Sequence, residues 1–133
     1  MKLAIAVEKG MVSGPGEAEE IRIYDTENSQ QLESYPNPAL TANSARGILM
    51  LKSIVDRGVT SVIVSGIGAH AFSYTTGRIK LFKGEGLTVE EALKSFINGY
   101  MTELLVATHQ SQYLSSVQHN QEKQKNSLNY RTM

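Results

Sequence analysis

Cysteine and tryptophan are absent from this sequence of 133 residues, and only three prolines occur. Without a thiol, the chain forms no disulfide, offers no thiolate nucleophile and holds neither zinc nor an iron–sulfur cluster through cysteine sulfur. Basic and acidic residues cancel, 13 against 13, so no excess of one sign draws the chain to nucleic acid or anionic lipid. A chain of this length buries roughly two-thirds of its unfolded surface. We therefore expect a single domain with its own hydrophobic core.

Long hydrophobic runs are missing as well. The first apolar run, residues 3–7, ends at Glu8 and Lys9, which is too short for the apolar centre of a signal peptide. No uncharged apolar stretch approaches the roughly 18 residues of a membrane-spanning helix. We therefore expect a cytoplasmic protein that binds neither membranes nor nucleic acid.

The first third of the chain has the pattern of three antiparallel strands. Residues 3–7 are continuously apolar, as in a strand buried on both faces. Residues 20–24 alternate between apolar and polar, and residues 31–35 return as a third strand before Pro36. Glycine and proline in residues 9–16 predict a loop between the first two strands.

A helix is expected between residues 41 and 58. Thr41 or Asn43 offers a side-chain cap at its start, and Gly58 ends it. The residues expected on its inner face recur at helical spacing and are Ala45, Ile48, Leu49, Lys52 and Val55.

Strands and helices then alternate. Strands are expected at residues 59–64 and 78–83, with a short helix over residues 69–74 between them. Thr88 and Glu91 form a capping box, and the apolar residues behind them keep helical spacing as far as Leu105. We expect one long final helix with a buried face.

These elements predict an α/β domain over residues 1–107, with a mixed five-stranded sheet that begins as an antiparallel meander and has helices packed on it. Residues 108–133 are rich in Gln, Asn and Lys and predict a polar C-terminal helical extension or a disordered tail. Tyr113, Leu114 and Val117 continue the apolar stripe. They leave a homo-oligomer open as an alternative.

Two glycine-containing loops form the candidate binding site, because open α/β sheets bind ligands beyond the carboxyl ends of their strands. Backbone amides of glycine turns suit an anion. The candidate ligand-binding residues are Ser13, Gly14 and Gly16 in the first loop and Ser65, Gly66, Gly68 and His70 in the second. His70 is also the candidate metal ligand.

Signals for other chemistry are weak. Gly66-x-Gly68-x-x-Ala71 fits a loose dinucleotide fingerprint, but the expected helix after it is short and no acidic residue ends the next strand. Ser65 lacks a Gly-x-Ser-x-Gly elbow. His109 and His119, both expected in the fading helix, fall on separate faces and make no metal pair. We expect a protein that is not an enzyme.

Four pieces of the chain, residues 1–7, 36–39, 62–68 and 86–93, resemble the dinitrogenase iron–molybdenum cofactor biosynthesis family, which contains nitrogenase accessory factors and small single-domain relatives. The resemblance spans residues 1 to about 105. It implies a ribonuclease H-like fold. For the characterised members it implies a non-enzymatic carrier that binds an iron–sulfur or iron–molybdenum cluster precursor and passes it between donor and acceptor proteins.

Two departures from the family bear on the ligand. Members often carry a Ser-x-His-Phe-Gly-Arg-like motif after the first strand, where this chain has Ser13, Gly14, Pro15, Gly16 and Glu17. After the Gly-Ile-Gly turn, this chain has Ala69 and His70 in place of a proline or small residue and an asparagine. The resemblance therefore implies that a cluster is held by His70, by amides of the two glycine loops, or between two copies of the chain.

Two further interpretations stay open. An interaction or scaffold domain would keep the fold without binding a cluster. A ribonuclease H-like nuclease follows only from the fold analogy, which by itself does not confer a function.

Overall fold

The computed structural model describes residues 1–109 and shows a mixed sheet of six strands with three α-helices. The strands are β1 (Lys2–Glu8), β2 (Met11–Val12), β3 (Glu20–Asp25), β4 (Gln30–Pro36), β5 (Ser61–Val64) and β6 (Lys80–Lys83). The helices are α1 (Arg46–Val55), α2 (Ala69–Thr75) and α3 (Val89–Ile97), and a short 3-10 helix covers Pro38–Thr41.

β1 is the central strand, and its apolar run is buried on both faces, as the sequence predicted. It pairs antiparallel with β3 and parallel with β5, and the sheet order is β4-β3-β1-β5-β6. β3 and β4 are antiparallel, and β5 and β6 are parallel. The predicted mixed α/β architecture with an antiparallel meander at its start is therefore confirmed.

The predicted count of five strands is wrong, because the expected loop at residues 9–16 contains β2. Two residues are too few to show a strand period. β5 pairs with β1 only as far as Ile5. Two residues further along β1, Val7 pairs with Val12 of β2. The Val12 amide then donates to the Leu87 carbonyl oxygen over 3.0 Å, which ties β2 to the loop before α3.

The helices form layers on both faces of the sheet. α1 and α2 cover the face that carries Ala4 and Ala6 of β1, and α3 covers the face that carries Leu3, Ile5 and Val7. On the α3 face, the rings of Phe82 and Phe96 meet edge to face with centroids 5.0 Å apart, a favourable aromatic geometry. Because successive side chains of β1 point to opposite faces of the sheet, this one strand contributes to the cores on both faces.

α1 begins later and faces differently than predicted. Neither Thr41 nor Asn43 caps it, because Thr41 closes the 3-10 helix and the N-cap of α1 is Ala45. Its buried residues are Met50, Leu51 and Ile54, whereas the expected inner residues Leu49 and Lys52 are exposed. Both stripes have helical spacing, so periodicity alone does not select between them.

The prediction of one long final helix is also wrong beyond Ile97. The Thr88–Glu91 capping box is present, but Gly99 has a φ of +75°, which ends the helix in a left-handed turn. Tyr100 and Leu105, predicted to lie on a buried face, are 80% and 75% exposed. The helical spacing of apolar residues continues past Gly99 in the sequence, although the helix itself has ended before this glycine.

Residues 101–109, called here the 101–109 segment, run along the sheet edge instead. The Leu104 amide donates to the Leu81 carbonyl oxygen over 2.7 Å, and Glu103 bridges to Phe82 of β6. Residues 110–133, which hold most of the predicted extension as well as His119, lie outside the described residues. Within residues 1–109, no helix has the length and apolar character needed to cross a membrane.

Candidate functional site

The two predicted loops touch each other at the carboxyl ends of β2 and β5. The Ser65 amide donates to the Ser13 carbonyl oxygen over 2.9 Å, and the Ser13 amide donates to the Ala6 carbonyl oxygen over 2.8 Å. The Ser13 hydroxyl lies 3.3 Å from a carboxylate oxygen of Glu8. Ser13 is therefore the residue that links the first loop, the central strand and the second loop.

Asn37 fixes the shape of the first loop. Its side-chain amide donates to the carbonyl oxygens of Pro15, at 2.9 Å, and Ala18, at 3.0 Å. Its side-chain oxygen accepts from the Ala39 amide at 3.0 Å, and the residue is only 2% exposed. Every polar atom of this buried side chain thus has a partner, as a buried amide requires.

Three segments meet at Gly47 in the first turn of α1. A Cβ built on Gly47 would lie 3.1 Å from Ala71 Cβ of α2 and 3.6 Å from Pro15 Cγ of the first loop. Gly16 is close by, because its own Cβ would lie 3.6 Å from Arg46 Cβ. Small residues at this point let both helices approach the first loop.

The N-terminus of α1 has no side-chain cap. Ala45, at the N-cap, has a φ of +53° and makes no capping hydrogen bond through its side chain. A left-handed conformation is uncommon for a residue with a Cβ, and free amides at a helix start attract anions. Arg46 follows directly, is exposed, and forms no ion pair with any of the described residues.

The first loop also carries negative charge. The Glu17 carboxylate lies directly over Gly14, in the space that a Cβ on Gly14 would take. Glu19 accepts from the Lys9 amide at 3.2 Å. Gly14 therefore faces a carboxylate rather than open space, and this end of the candidate site disfavours an anion.

His70 lies in the first turn of α2 and is exposed. Residues 1–109 contain no group of three or more His, Asp or Glu side chains that could hold a metal ion together. His70 can supply one nitrogen ligand.

The second loop is covered by the 101–109 segment. The Ile67 amide donates to Thr108 Oγ1 at 2.7 Å, and the amides of Thr108 and His109 donate to the Ile67 carbonyl oxygen at 3.0 and 3.3 Å. A Cβ on Gly66 would lie 2.9 Å from Thr108 Oγ1. The sequence predicted that a ligand approaches the backbone at Gly66, but in the structure Thr108 lies there.

His109 was expected on a helix, and that placement is wrong. It forms a parallel bridge with Gly68, and its Nδ1 lies 3.0 Å from Thr108 Oγ1. His109 is thus next to the candidate site although it is distant from His70 along the chain.

A cavity of about 570 Å³ lies elsewhere. Its walls are formed by the end of α2, the start of β6 and residues 103–105, and they include Arg78, Lys80 and Glu103. None of the seven predicted site residues lines it, so the cavity and the two loops are separate features.

Sequence reasoning missed three residues that shape the site. Arg46 and Thr108 reach it through tertiary contacts with no local motif. Asn37 lies in the Pro36–Asn37–Pro38 turn, and an asparagine between two prolines was the available signal for a buried side-chain hydrogen-bonding role.

Comparison with known proteins agrees with the family resemblance seen in the sequence. A family model described as dinitrogenase iron-molybdenum cofactor matches residues 1–99. No match was found among curated proteins.

Solved structures share the fold. The apo form of the orange protein from Desulfovibrio gigas is similar with a TM-score of 0.74 at 23% identity, covering 80% of this chain and 95% of that chain. A candidate NifB protein from Thermotoga has a TM-score of 0.67 at 32% identity, covering 83% of this chain and 98% of that chain. A candidate dinitrogenase from Methanocaldococcus jannaschii has a TM-score of 0.62 at 20% identity, with 80% and 96% covered.

Proposed function

Because the chain belongs to the dinitrogenase iron–molybdenum cofactor family, we propose that it is a non-enzymatic carrier in cofactor assembly. It binds an anionic iron–sulfur or iron–molybdenum cluster precursor as cargo and passes it from a donor protein to an acceptor protein. The sheet order, with an antiparallel half followed by a parallel half, supports a ribonuclease H-like fold for this carrier.

The meeting of three segments at Gly47 is the observation that carries this proposal. The uncapped N-terminus of α1 with Arg46, the helix α2 and the first loop lie together there. Helix-start amides and a guanidinium are the groups that proteins use to bind anions. In the neighbouring second loop, the amides of Ser65 and Ile67 already donate hydrogen bonds within the protein. Gly66 and Gly68 alternate with these two residues along the chain.

The donor set favours reversible binding. His70 provides one nitrogen, and residues 1–109 offer no cluster of three metal-binding side chains. A precursor held by hydrogen bonds, one positive charge and one imidazole leaves most of its metal coordination to its own ligands. Such a cargo is released without breaking several metal–protein bonds, which suits a carrier.

The test is anaerobic exposure of the protein to iron and sulfide, with bound iron measured against added iron. Arg46→Gln removes the charge at the site and lowers the affinity about tenfold, the size expected for a charged hydrogen bond. Lys52→Gln removes an exposed charge further along the same helix and leaves the affinity unchanged. Equal affinities of these two variants contradict the proposed site.

His70 is tested in the same assay. His70→Ala weakens uptake, and His119→Ala, which alters a histidine of neither loop, does not. Uptake that is unchanged in His70→Ala removes this residue from the site while leaving the Arg46 comparison as an independent test.

An interaction domain is the second candidate, because the 101–109 segment exposes apolar side chains. Leu105 and Val106 are 75% and 71% exposed, and Tyr100 just before them is 80% exposed. This function predicts a stable homo-oligomer that takes up no iron and is weakened by Leu105→Ser. Light scattering after size-exclusion chromatography measures the oligomer directly.

A further inference from the structure

The 101–109 segment lies across the second loop where the proposed cargo would touch the backbone. Thr108 Oγ1 is the acceptor for the Ile67 amide, and it occupies the space directly over Gly66. An anion that approaches Gly66 therefore meets the Thr108 hydroxyl first. Gly66 is itself partly exposed, and movement of the segment uncovers the side of its backbone that Thr108 covers.

The segment is attached at its start by Met101 and Leu104, which are partly buried against the two cores, and beyond them mainly by hydrogen bonds. It is fastened at Leu104, through the 2.7 Å hydrogen bond to Leu81, and at Thr108 and His109, through Ile67. Between these points, Leu105 and Val106 are exposed and bury little apolar surface. A chain segment held by few buried contacts opens at a lower free energy than the core.

We infer that the 101–109 segment is a releasable cover of the carrier site, and that breaking the Thr108–Ile67 hydrogen bonds exposes the Gly66 backbone to cargo. The inference rests on the proposed function for the identity of the cargo. The opening itself is a property of the protein alone, and it is measured without any ligand.

Native-state hydrogen exchange tests the opening. The amide of Ile67 exchanges through release of the segment, so its exchange is faster than that of Ile63 in β5 and insensitive to low urea. The contradicting result is an Ile67 amide that exchanges only with global unfolding, with the same urea dependence as Ile63.

Variants of Thr108 connect the hydroxyl to the opening. Thr108→Val removes the acceptor and raises Ile67 exchange about tenfold, as expected for loss of a hydrogen bond to a buried amide. Thr108→Ser keeps the hydroxyl and restores slow exchange. Thr102→Val, at an exposed position of the same segment, leaves Ile67 exchange unchanged.

An engineered disulfide can hold the 101–109 segment against the second loop. The Cβ positions of Gly66 and Thr108 are 3.8 Å apart, the mean separation in disulfides of about 3.8 Å, and the chain has no other cysteine. The Thr108→Cys change removes the Oγ1 acceptor of the Ile67 amide, so the amide followed in Gly66→Cys/Thr108→Cys is that of His109, which donates to the Ile67 carbonyl oxygen. Oxidation slows its exchange to the rate of global unfolding, and reduction reverses this. Unchanged exchange on oxidation contradicts a mobile segment.

Iron uptake completes the test. With iron and sulfide as the probe, Thr108→Val takes up iron several-fold faster than the wild-type chain, and Thr108→Ser matches the wild type. Equal rates for all three overturn the role of the segment as a cover. If none takes up iron while the exchange differences persist, the proposed cargo is wrong and the opening stands.

Discussion

Single buried polar groups determine whether the first loop keeps its shape. Asn37 shows this most clearly, because its side chain satisfies two carbonyl oxygens and one amide in a space closed to water. Removing it would leave these three backbone groups without their partner, and an unsatisfied buried group costs about 1–3 kcal/mol.

Asn37→Ala is expected to lower the free energy of unfolding by about 3 kcal/mol, measured by urea denaturation. Asn43→Ala is the matched control, since Asn43 is exposed and does not cap α1. Its effect stays within about 0.5 kcal/mol. Equal losses for the two variants would show that the Asn37 hydrogen bonds do not support the loop.

Glu17 is the residue that opposes an anionic cargo, because its carboxylate covers Gly14. Glu17→Gln removes a negative charge and is expected to tighten iron–sulfide uptake about fivefold, which corresponds to roughly 1 kcal/mol for unit charges about 4 Å apart in water. Glu90→Gln, at an exposed position of α3, provides the control. Weaker uptake by Glu17→Gln would instead make this carboxylate a ligand.

At the scale of elements, α3 begins through a complete capping box. Thr88 Oγ1 accepts from the Glu91 amide at 3.1 Å, and the Glu91 carboxylate accepts from the Thr88 amide at 2.9 Å. Thr88→Ala is expected to cost about 1 kcal/mol of unfolding free energy, and Thr102→Ala, outside any helix, close to nothing. Thermal or urea unfolding that does not separate the two variants would contradict the role of this cap.

The elements with strong local signals could be predicted from the sequence. Apolar runs marked β1 and β5, alternation marked β3, and the Thr88–Glu91 box marked the start of α3. These signals act within a few residues, where steric and capping preferences decide the backbone.

Features set by distant contacts could not be predicted. β2 exists because Val12 pairs with Val7 and bonds to Leu87. The helical spacing past Gly99 gave no sign that Leu104 would bond to Leu81. The candidate loops followed from glycine positions, but Arg46 and Thr108 came to them only through tertiary packing.

At the scale of the whole molecule, the mixed sheet brings the proposed binding groups to one edge. β1 and β5 run parallel, so the chain leaves both strands on the same side, and α1 returns its N-terminus there. The first loop, the start of α1 and the second loop are joined through Ser13 and Gly47. One architecture therefore accounts for both the site and the segment that covers it.

The most direct test of the carrier proposal is elemental analysis with an optical spectrum, made on protein that has been exposed anaerobically to iron and sulfide and then freed of excess reagents. The carrier function predicts stoichiometric iron with charge-transfer absorption in the wild-type protein, and less of both in Arg46→Gln under limiting iron. A colourless, iron-free wild-type protein would contradict the carrier function and favour the interaction domain.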